Sequence, residues 1–246
     1  MIEIERQPGY LHLIIRRPEK KNALTRDMYA ALADAVEAAG ADDSVHAILI
    51  SGHGDVFTAG NDLDDFRARA TDAAPKPSAG LAFIETLMHC DTPVIAAVEG
   101  LAIGIGTTLL LHCDLVVAGR TAKFKTAFVD LGLVPEAAST VTMPLHLGAR
   151  TTARLLLTGD VLNGEEAAAC GLATEAVDDG AALVRARAIA EGLAGKSRES
   201  LRASKRLMKA PWQGAIKEAL ERERAVFAER LRSDDCQNAL ANIGRR

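Results

Sequence analysis

In the first half of the chain, short runs of branched apolar residues alternate with stretches whose apolar residues recur every three or four positions. The runs predict strands, and they lie at residues 11–16, 45–51, 93–98 and 115–118. Thr25 can cap a helix whose apolar face contains Met28 and Leu32, and residues 80–90 are also predicted to be helical. This alternation predicts an α/β fold with mainly parallel strands.

Beyond Pro135 the pattern becomes mostly helical, with a long helix predicted at 212–231. We therefore divide the chain into a core, 1–190, and a C-terminal helical region, 191–246, which could pack on a neighbouring subunit. Residues 71–78 contain two prolines and several small residues, so they predict a mobile surface segment.

The charge pattern argues against a nucleic-acid-binding protein. The 246 residues have a formal net charge of −4, and basic residues alternate with acidic ones, as in 221–224. Such alternation is typical of a solvated helix face, whereas nucleic-acid binders usually present a basic face.

Cysteine and histidine spacing gives no support for a metal site. The chain has no Cys-x-x-Cys pair and no His-x-x-x-His pair on a predicted helix. The four cysteines (Cys90, Cys113, Cys170 and Cys236) are read as reduced thiols. The N-terminus is strand-like, and the apolar stretch 94–111 contains Glu99 and three glycines, so neither a targeting peptide nor a membrane span is predicted. We expect a cytoplasmic protein.

Two glycine-containing segments could present main-chain amides to a ligand. In the first, 57–63, Gly60 permits unusual backbone conformations, and Asp62, just inside a predicted helix start, favours the positive end of the helix dipole. The second, 99–106, follows a buried strand but lacks both the Gly-x-Gly-x-x-Gly spacing and a following Gly-Lys-Ser/Thr. The alternatives are an ordinary capped turn for the first segment and close helix–strand packing for the second.

A third segment, 134–138, contains a carboxylate in an apolar neighbourhood. Glu136 follows Pro135 and lies among leucine, valine and alanine residues. An apolar setting disfavours the ionised carboxylate, which would raise its pKa and make it a better base near neutral pH. The alternative is an exposed glutamate in the first turn of a helix that begins with proline.

Together and in this order, these segments resemble the crotonase (enoyl-CoA hydratase/isomerase) superfamily. The resemblance covers nearly the whole chain, and its motifs lie at 17–24, 59–63, 93–100, 157–160 and 166–172. It implies a spiral of ββα units with a C-terminal helical trimerisation region, and hence a homotrimer or a dimer of trimers. It implies no metal and no prosthetic group, since coenzyme A (CoA) arrives as part of an acyl-CoA thioester substrate.

The resemblance also implies site residues. The main-chain amides of Asn61 and Ile105 would hold the thioester oxygen. The CoA would lie along four residues, Ala23, Ala59, Asp62 and Leu63. Glu136 would be the catalytic base.

Two departures from the family pattern point to the reaction. Enoyl-CoA hydratases of this family use two glutamates, and Thr108 and Phe128 occupy those positions here. The stretch 128–139 is instead similar to the Δ3,Δ2-enoyl-CoA isomerases of the peroxisomal type and their bacterial relatives. In such an isomerase Glu136 would remove a proton from C2 of a 3-enoyl-CoA and return it at C4.

Two alternatives remain open at this point. A hydratase, or another crotonase reaction, would require a second acid such as Asp130 or Asp62 to reach the substrate. A non-catalytic homologue would bind an acyl-CoA or a partner without turnover.

Overall fold

The computed structural model describes residues 1–71 and 78–242. The strands are β1 (Ile2–Gln7), β2 (Tyr10–Ile15), β3 (Ala47–Gly52), β4 (Val94–Val98), β5 (Leu101–Ile103), β6 (Leu115–Gly119), β7 (Lys123–Lys125) and β8 (Glu175–Val177). The helices are α1 (Arg26–Ala41), α2 (Leu63–Thr71), α3 (Ala79–His89), α4 (Ile105–Thr108), α5 (Ser139–Thr158), α6 (Gly164–Cys170), α7 (Ala182–Ala194), α8 (Arg198–Lys209), α9 (Gln213–Leu231) and α10 (Asp234–Asn242). Apart from its two end residues, the predicted mobile segment 71–78 lies outside the described residues.

The main sheet confirms the predicted parallel arrangement. Its strand order is β1-β2-β3-β4-β6-β8, and only β1 and β2 pair in antiparallel fashion within it. A second sheet, β5 and β7, was not predicted, because each strand has three residues and the first lies in the glycine-containing segment. Strands this short have little periodicity of their own and depend on their pairing partner.

The strands of the main sheet are buried on both faces, as expected for parallel strands that helices cover. In β3, Ile48 and Ile50 face the large core that contains residues of α1 and α3. The alternate residues Ala47 and Leu49 pack against α7. That helix presents small side chains at every fourth position (Ala182, Ala186 and Ala190), which allows its backbone to approach the sheet closely.

The path from β4 through β5 into α4 forms the ββα unit that positions the site. Gly100 turns the chain after β4 with a φ of 59°, and a Cβ there would lie 2.0 Å from the Asp55 carbonyl oxygen. Only glycine fits this close approach. The mixed α/β architecture with ββα units and C-terminal helices confirms the expected fold class.

The C-terminal helices dock on the core through the buried Lys205 and the half-buried Lys209. The Lys205 Nζ donates hydrogen bonds to the Thr92 carbonyl at 2.8 Å and to Asp114 Oδ2 at 2.5 Å. Lys209 Nζ donates to three carbonyls at the C-terminus of α3, where a positive charge complements the helix dipole. The division expected between residues 190 and 191 falls inside α7, and a separate C-terminal region stays a prediction.

The described residues also bear on the other functional classes. None of their helices combines the length and apolar character needed to cross a membrane. Among them no group of three or more His, Cys, Asp or Glu side chains is arranged to hold a metal ion. The cysteines are free thiols, and burial raises the pKa of Cys113 to about 12.

Candidate active site

The first glycine-containing segment pairs with β5 through backbone hydrogen bonds. The Thr58 amide donates to the Leu101 carbonyl at 2.8 Å, and the Ile103 amide donates to the Thr58 carbonyl at 3.1 Å. Gly60 has a φ of 90°, and a Cβ at this position would lie 2.5 Å from the Ile103 carbonyl oxygen. The two glycine-containing segments are therefore in direct contact, and this contact requires glycine.

The Asn61 amide N–H is not used in the backbone pairing between Asn61 and Leu24. Leu24 and Asn61 form a parallel bridge, in which the Leu24 amide donates to the Gly60 carbonyl and the Asp62 amide donates to the Leu24 carbonyl. In such a bridge the central residue's own N–H faces away from the partner chain. Within residues 1–71 and 78–242 the Asn61 amide has no protein acceptor.

The second segment presents another main-chain donor at the start of α4. Gly104 has a φ of 59° and a ψ of −121°, a conformation that is essentially restricted to glycine. Its amide is held by the Lys125 carbonyl at 2.7 Å, and its carbonyl accepts from Thr107 and Thr108. The Ile105 amide, the first of the helix, has no acceptor in the described part of the chain.

A buried tyrosine links the two segments. The Tyr29 hydroxyl donates to Asn61 Oδ1 at 2.8 Å. A Cβ at Gly80 would lie 2.9 Å from Ile105 Cδ1 and 3.3 Å from Tyr29 Cζ. Gly80 therefore packs against both side chains. Burial, with a smaller contribution from the negative charge of Glu136, raises the pKa of Tyr29 well above its ordinary value. Tyr29 thus lies within electrostatic range of Glu136 and in contact with Asn61.

Glu136 is buried, which excludes the exposed first-turn alternative. Its exposed fraction is 4%, and it lies in the loop that ends at α5. The following residues, Ala137 and Ala138, have left-handed φ values of 62° and 55°. His112 Nε2 donates to the Ala137 carbonyl at 2.8 Å, and burial lowers the pKa of His112 to about 4, so a neutral imidazole is the donor.

The structure assigns Asp62 a structural task that the sequence did not indicate. Asp62 lies just before α2, not inside it, and its Oδ1 accepts from the Asp64 and Asp65 amides at 3.0 and 3.1 Å. Its Oδ2 accepts from Arg17 Nη1 at 2.6 Å. Burial disfavours the charged carboxylate, but Arg17 and the two amides hold the pKa of Asp62 below its ordinary value.

The other three residues expected along the CoA differ in accessibility. Ala23 is buried, and Ala59 is half-buried with its amide bonded to the Lys21 carbonyl at 2.9 Å. Leu63, the first residue of α2, has an exposed fraction of 37%. Leu63 and Ala59 therefore offer surface to a ligand, whereas Ala23 contributes mainly to packing.

Comparison with known proteins places these features in a family. The family model "Enoyl-CoA hydratase/isomerase" matches residues 5–243. The chain belongs to the enoyl-CoA hydratase/isomerase family. Its structure is similar to that of Pseudomonas aeruginosa OdaA, with a TM-score of 0.94 and 44% identity over 100% of this chain and 99% of that one.

Curated relatives of this family carry isomerase names in some cases and hydratase names in others. The 1,2-epoxyphenylacetyl-CoA isomerase of Escherichia coli K12 is 35% identical over 195 residues, which cover 76% of this chain and 74% of that protein. Enoyl-CoA delta isomerase 2 of Rattus norvegicus is 33% identical over 246 residues, which cover 98% of this chain. The match spans 63% of the rat protein's length.

The two positions that the resemblance matches to the hydratase glutamates are buried and uncharged. Thr108 and Phe128 have exposed fractions of 0% and 4%. The Thr108 hydroxyl has no hydrogen-bond partner among the described residues. Asp130, an acid considered for hydration, is exposed and pairs with Lys125 Nζ at 2.7 Å.

Sequence reasoning missed three groups that support these features, namely Tyr29, Gly80 and His112. Tyr29 could have been found, because it lies on the buried face of α1 with a hydroxyl that needs a partner. Gly80 and His112 gave no comparable signal, since their importance depends on contacts with residues 25 or more positions away.

Proposed function

We propose that this member of the enoyl-CoA hydratase/isomerase family shifts a double bond from the 3-position to the 2-position of an enoyl-CoA. The observation that carries the proposal is a buried carboxylate, Glu136, in a site whose hydratase positions hold Thr108 and Phe128. One base suffices for a double-bond shift, whereas addition of water also requires a group that positions the water.

In the first step, the Glu136 carboxylate takes a proton from C2 of the 3-enoyl-CoA. The electrons of that C–H bond move into the conjugated system, and the negative charge of the dienolate rests on the thioester oxygen. The free amides of Asn61 and Ile105 donate hydrogen bonds to this oxygen. Removing one such donor typically raises a reaction barrier by about 3 kcal/mol.

In the second step, the carboxylic acid formed at Glu136 delivers its proton to C4. The enolate electrons return, a double bond forms between C2 and C3, and the carboxylate is regenerated. The product is conjugated with the thioester, and no other reactant is consumed. Burial of Glu136 supports this shuttle, since exclusion of water keeps the abstracted proton from exchanging with solvent.

The engagement of the other acids argues against hydration. Asp62 Oδ1 caps α2 and its Oδ2 is bonded to Arg17, while Asp130 is paired with Lys125 at the surface. Neither carboxylate is available to position a water opposite Glu136. We further propose that the CoA moiety lies along Ala23, Ala59, Asp62 and Leu63, with most of its side-chain contacts at the more accessible Ala59 and Leu63.

Conversion of a 3-enoyl-CoA tests the proposal through the rise in absorbance of the conjugated thioester. Replacing Glu136→Gln is expected to lower kcat by about a thousandfold, since general base catalysis contributes roughly 10²–10⁴-fold, and to leave CoA binding intact. Glu218→Gln, at an exposed position, is the matched control and should retain full activity.

Two outcomes would overturn the proposal. Hydration of a 2-enoyl-CoA at an efficiency comparable to isomerisation would identify a hydratase. Binding of acyl-CoA by the wild type without turnover of any enoyl-CoA would identify a non-catalytic homologue.

We also propose that the chain forms a homotrimer or a dimer of trimers. Apolar side chains exposed in α8 and just after it support this assembly. Leu207, Met208 and Trp212 have exposed fractions of 74%, 72% and 44%. Met208 and Trp212 line a cavity of about 1240 Å³. Large apolar side chains exposed close together in sequence are typical of an interaction site. Light scattering should give a mass three or six times that of the chain. Met208→Glu should lower the measured mass. A monomeric wild type would refute the proposal.

A further inference from the structure

Helix α5 begins next to Glu136 without a cap of its own. Its N-cap residue, Ala138, has no side chain that could accept a hydrogen bond, and its first turn contains no acidic residue. The free amides of a first helical turn require acceptors. The acceptor comes from α9, where Glu223 Oε1 accepts from the Thr140 amide at 2.9 Å and from the Thr140 hydroxyl at 2.5 Å.

Glu223 is a buried carboxylate with only one of its oxygens engaged by Thr140. Its exposed fraction is 6%, and its Oε2 is buried without a hydrogen-bond partner among the described residues. Burial raises the pKa of Glu223, although the hydrogen bonds from the Thr140 hydroxyl and amide oppose the shift. Burial of an ionisable group is unfavourable unless hydrogen bonds offset it, and here those hydrogen bonds come from Thr140 in the first turn of α5.

The carboxylate of Glu223 anchors Thr140, two residues after a strained turn. Ala137 and Ala138 both have left-handed φ values, and this conformation is unfavourable by roughly 1–2 kcal/mol for each non-glycine residue. On the other side, His112 Nε2 donates to the Ala137 carbonyl at 2.8 Å. Two side chains from distant parts of the sequence thus bond within and just beyond the turn that follows Glu136.

We propose that Glu223 is a positioning residue which, together with His112, fixes the direction of the Glu136 carboxylate. The inference rests on the proposed function of Glu136 as the base. Without the Glu223 carboxylate, the turn at Ala137 and Ala138 can relax toward ordinary backbone conformations. The amides of Asn61 and Ile105 belong to other segments and are unaffected, so substrate binding persists while proton transfer slows.

The experiment compares steady-state kinetics of Glu223→Ala and Glu223→Gln with the wild type. In Glu223→Ala, kcat is expected to fall by ten- to a hundredfold with KM within about twofold, because a misplacement near 1 Å can lower the rate by about 10². Glu223→Gln retains an oxygen that can accept from Thr140, and it should restore most of the lost turnover. A purely structural role would not separate kcat from KM in this way.

Controls distinguish positioning from loss of fold. Glu218→Ala changes an exposed residue on the same helix and should leave kcat, KM and Tm unchanged. If Glu223→Ala does not fold, Thr140→Val tests the same contact, because it removes the hydroxyl bond to Glu223 and keeps the amide bond. Its kcat should then fall by a few-fold at constant KM.

The inference and the proposed function fail in different ways. Glu223→Ala with wild-type kcat and only a lower Tm would show that Glu223 is a cap and nothing more. That result would leave the role of Glu136 intact. If Glu136→Gln retains wild-type activity, the proposed function itself is wrong and the turn has no base to position.

Discussion

The two parts of the candidate site obtain their unusual backbone geometry by different means. The oxyanion region, residues 57–62 and 99–106, relies on glycines such as Gly60 and Gly104 at positive φ. The base turn, residues 136–138, reaches positive φ at Ala137 and Ala138. Glycine adopts these conformations without a Cβ penalty, whereas alanine must be held in them by neighbouring groups.

This difference separates a locally encoded region from one that depends on distant contacts. The glycines of the oxyanion region allow its loops to lie against each other, as at Gly60 and Ile103. The base turn depends on His112 and Glu223, the second of which is 83 residues beyond Thr140. Substitutions should therefore affect the oxyanion region through backbone sterics and the base turn through the side chains that hold it.

Among substitutions other than that of Glu136 itself, the largest effect is expected for Gly60→Ala. The new Cβ would lie 2.5 Å from the Ile103 carbonyl oxygen and force the two loops apart. Displacing even one oxyanion amide should lower kcat/KM by about a hundredfold or more. Gly54→Ala is the control, because Gly54 has a similar φ of 76° with nothing within 4 Å of the added Cβ. Equal losses in both variants would show that positive φ alone is responsible and refute the contact argument.

The pH dependence of stability should reveal the histidine that holds the base turn. Burial lowers the pKa of His112 from 6.5 to about 4, so between these values the unfolded chain binds a proton that the folded chain does not. Stability should therefore fall as pH drops through this window, by up to roughly 3 kcal/mol from this group. Urea unfolding of wild type and His112→Gln at pH 7 and pH 4.5 measures the effect. Parallel profiles for the two proteins would contradict it.

Asp62→Asn tests whether this carboxylate supports the fold or the ligand. Asparagine can still cap α2, but the ion pair with Arg17 is lost. We expect a loss of about 1–2 kcal/mol in the free energy of unfolding, because Asp62 is buried and Arg17 loses its shortest ion pair. The KM for acyl-CoA should change little. Unchanged stability with a raised KM would instead assign the Asp62 side chain to CoA.

The smallest effect on stability is expected for Ala138→Gly. Glycine relieves the left-handed strain, but it also loses about 0.5–1 kcal/mol through the greater freedom of the unfolded chain. The free energy of unfolding should therefore stay within about 1 kcal/mol of the wild type, as measured by urea titration. A loss above 2 kcal/mol would mean that the Ala138 methyl group, which packs with Leu220, matters more than its backbone.

Much of the fold could be predicted because its signals are local. The strands and α1 have branched or periodic apolar residues, and Thr25 caps α1 as expected. The paired strands β5 and β7 could not be predicted, since three residues in each are too few for a periodic signal. The start of α2 was misplaced by one residue because Asp62 caps the helix from outside.

The features of the candidate site also divide into those with a local sequence signal and those without one. The sequence by itself determined where glycines permit unusual turns, which positions lack the hydratase carboxylates, and that Glu136 stands among apolar residues. Those features are properties of single residues and their near neighbours.

Only the tertiary structure decided that Asp62 is bound to Arg17, that Tyr29 meets Asn61, and that Glu223 reaches the first turn of α5. These contacts join residues far apart in the chain, and their energies depend on burial that forms only when the sheets and helices pack together. A charged or hydroxyl side chain has no identifiable partner in the sequence until the fold brings that partner within hydrogen-bond distance.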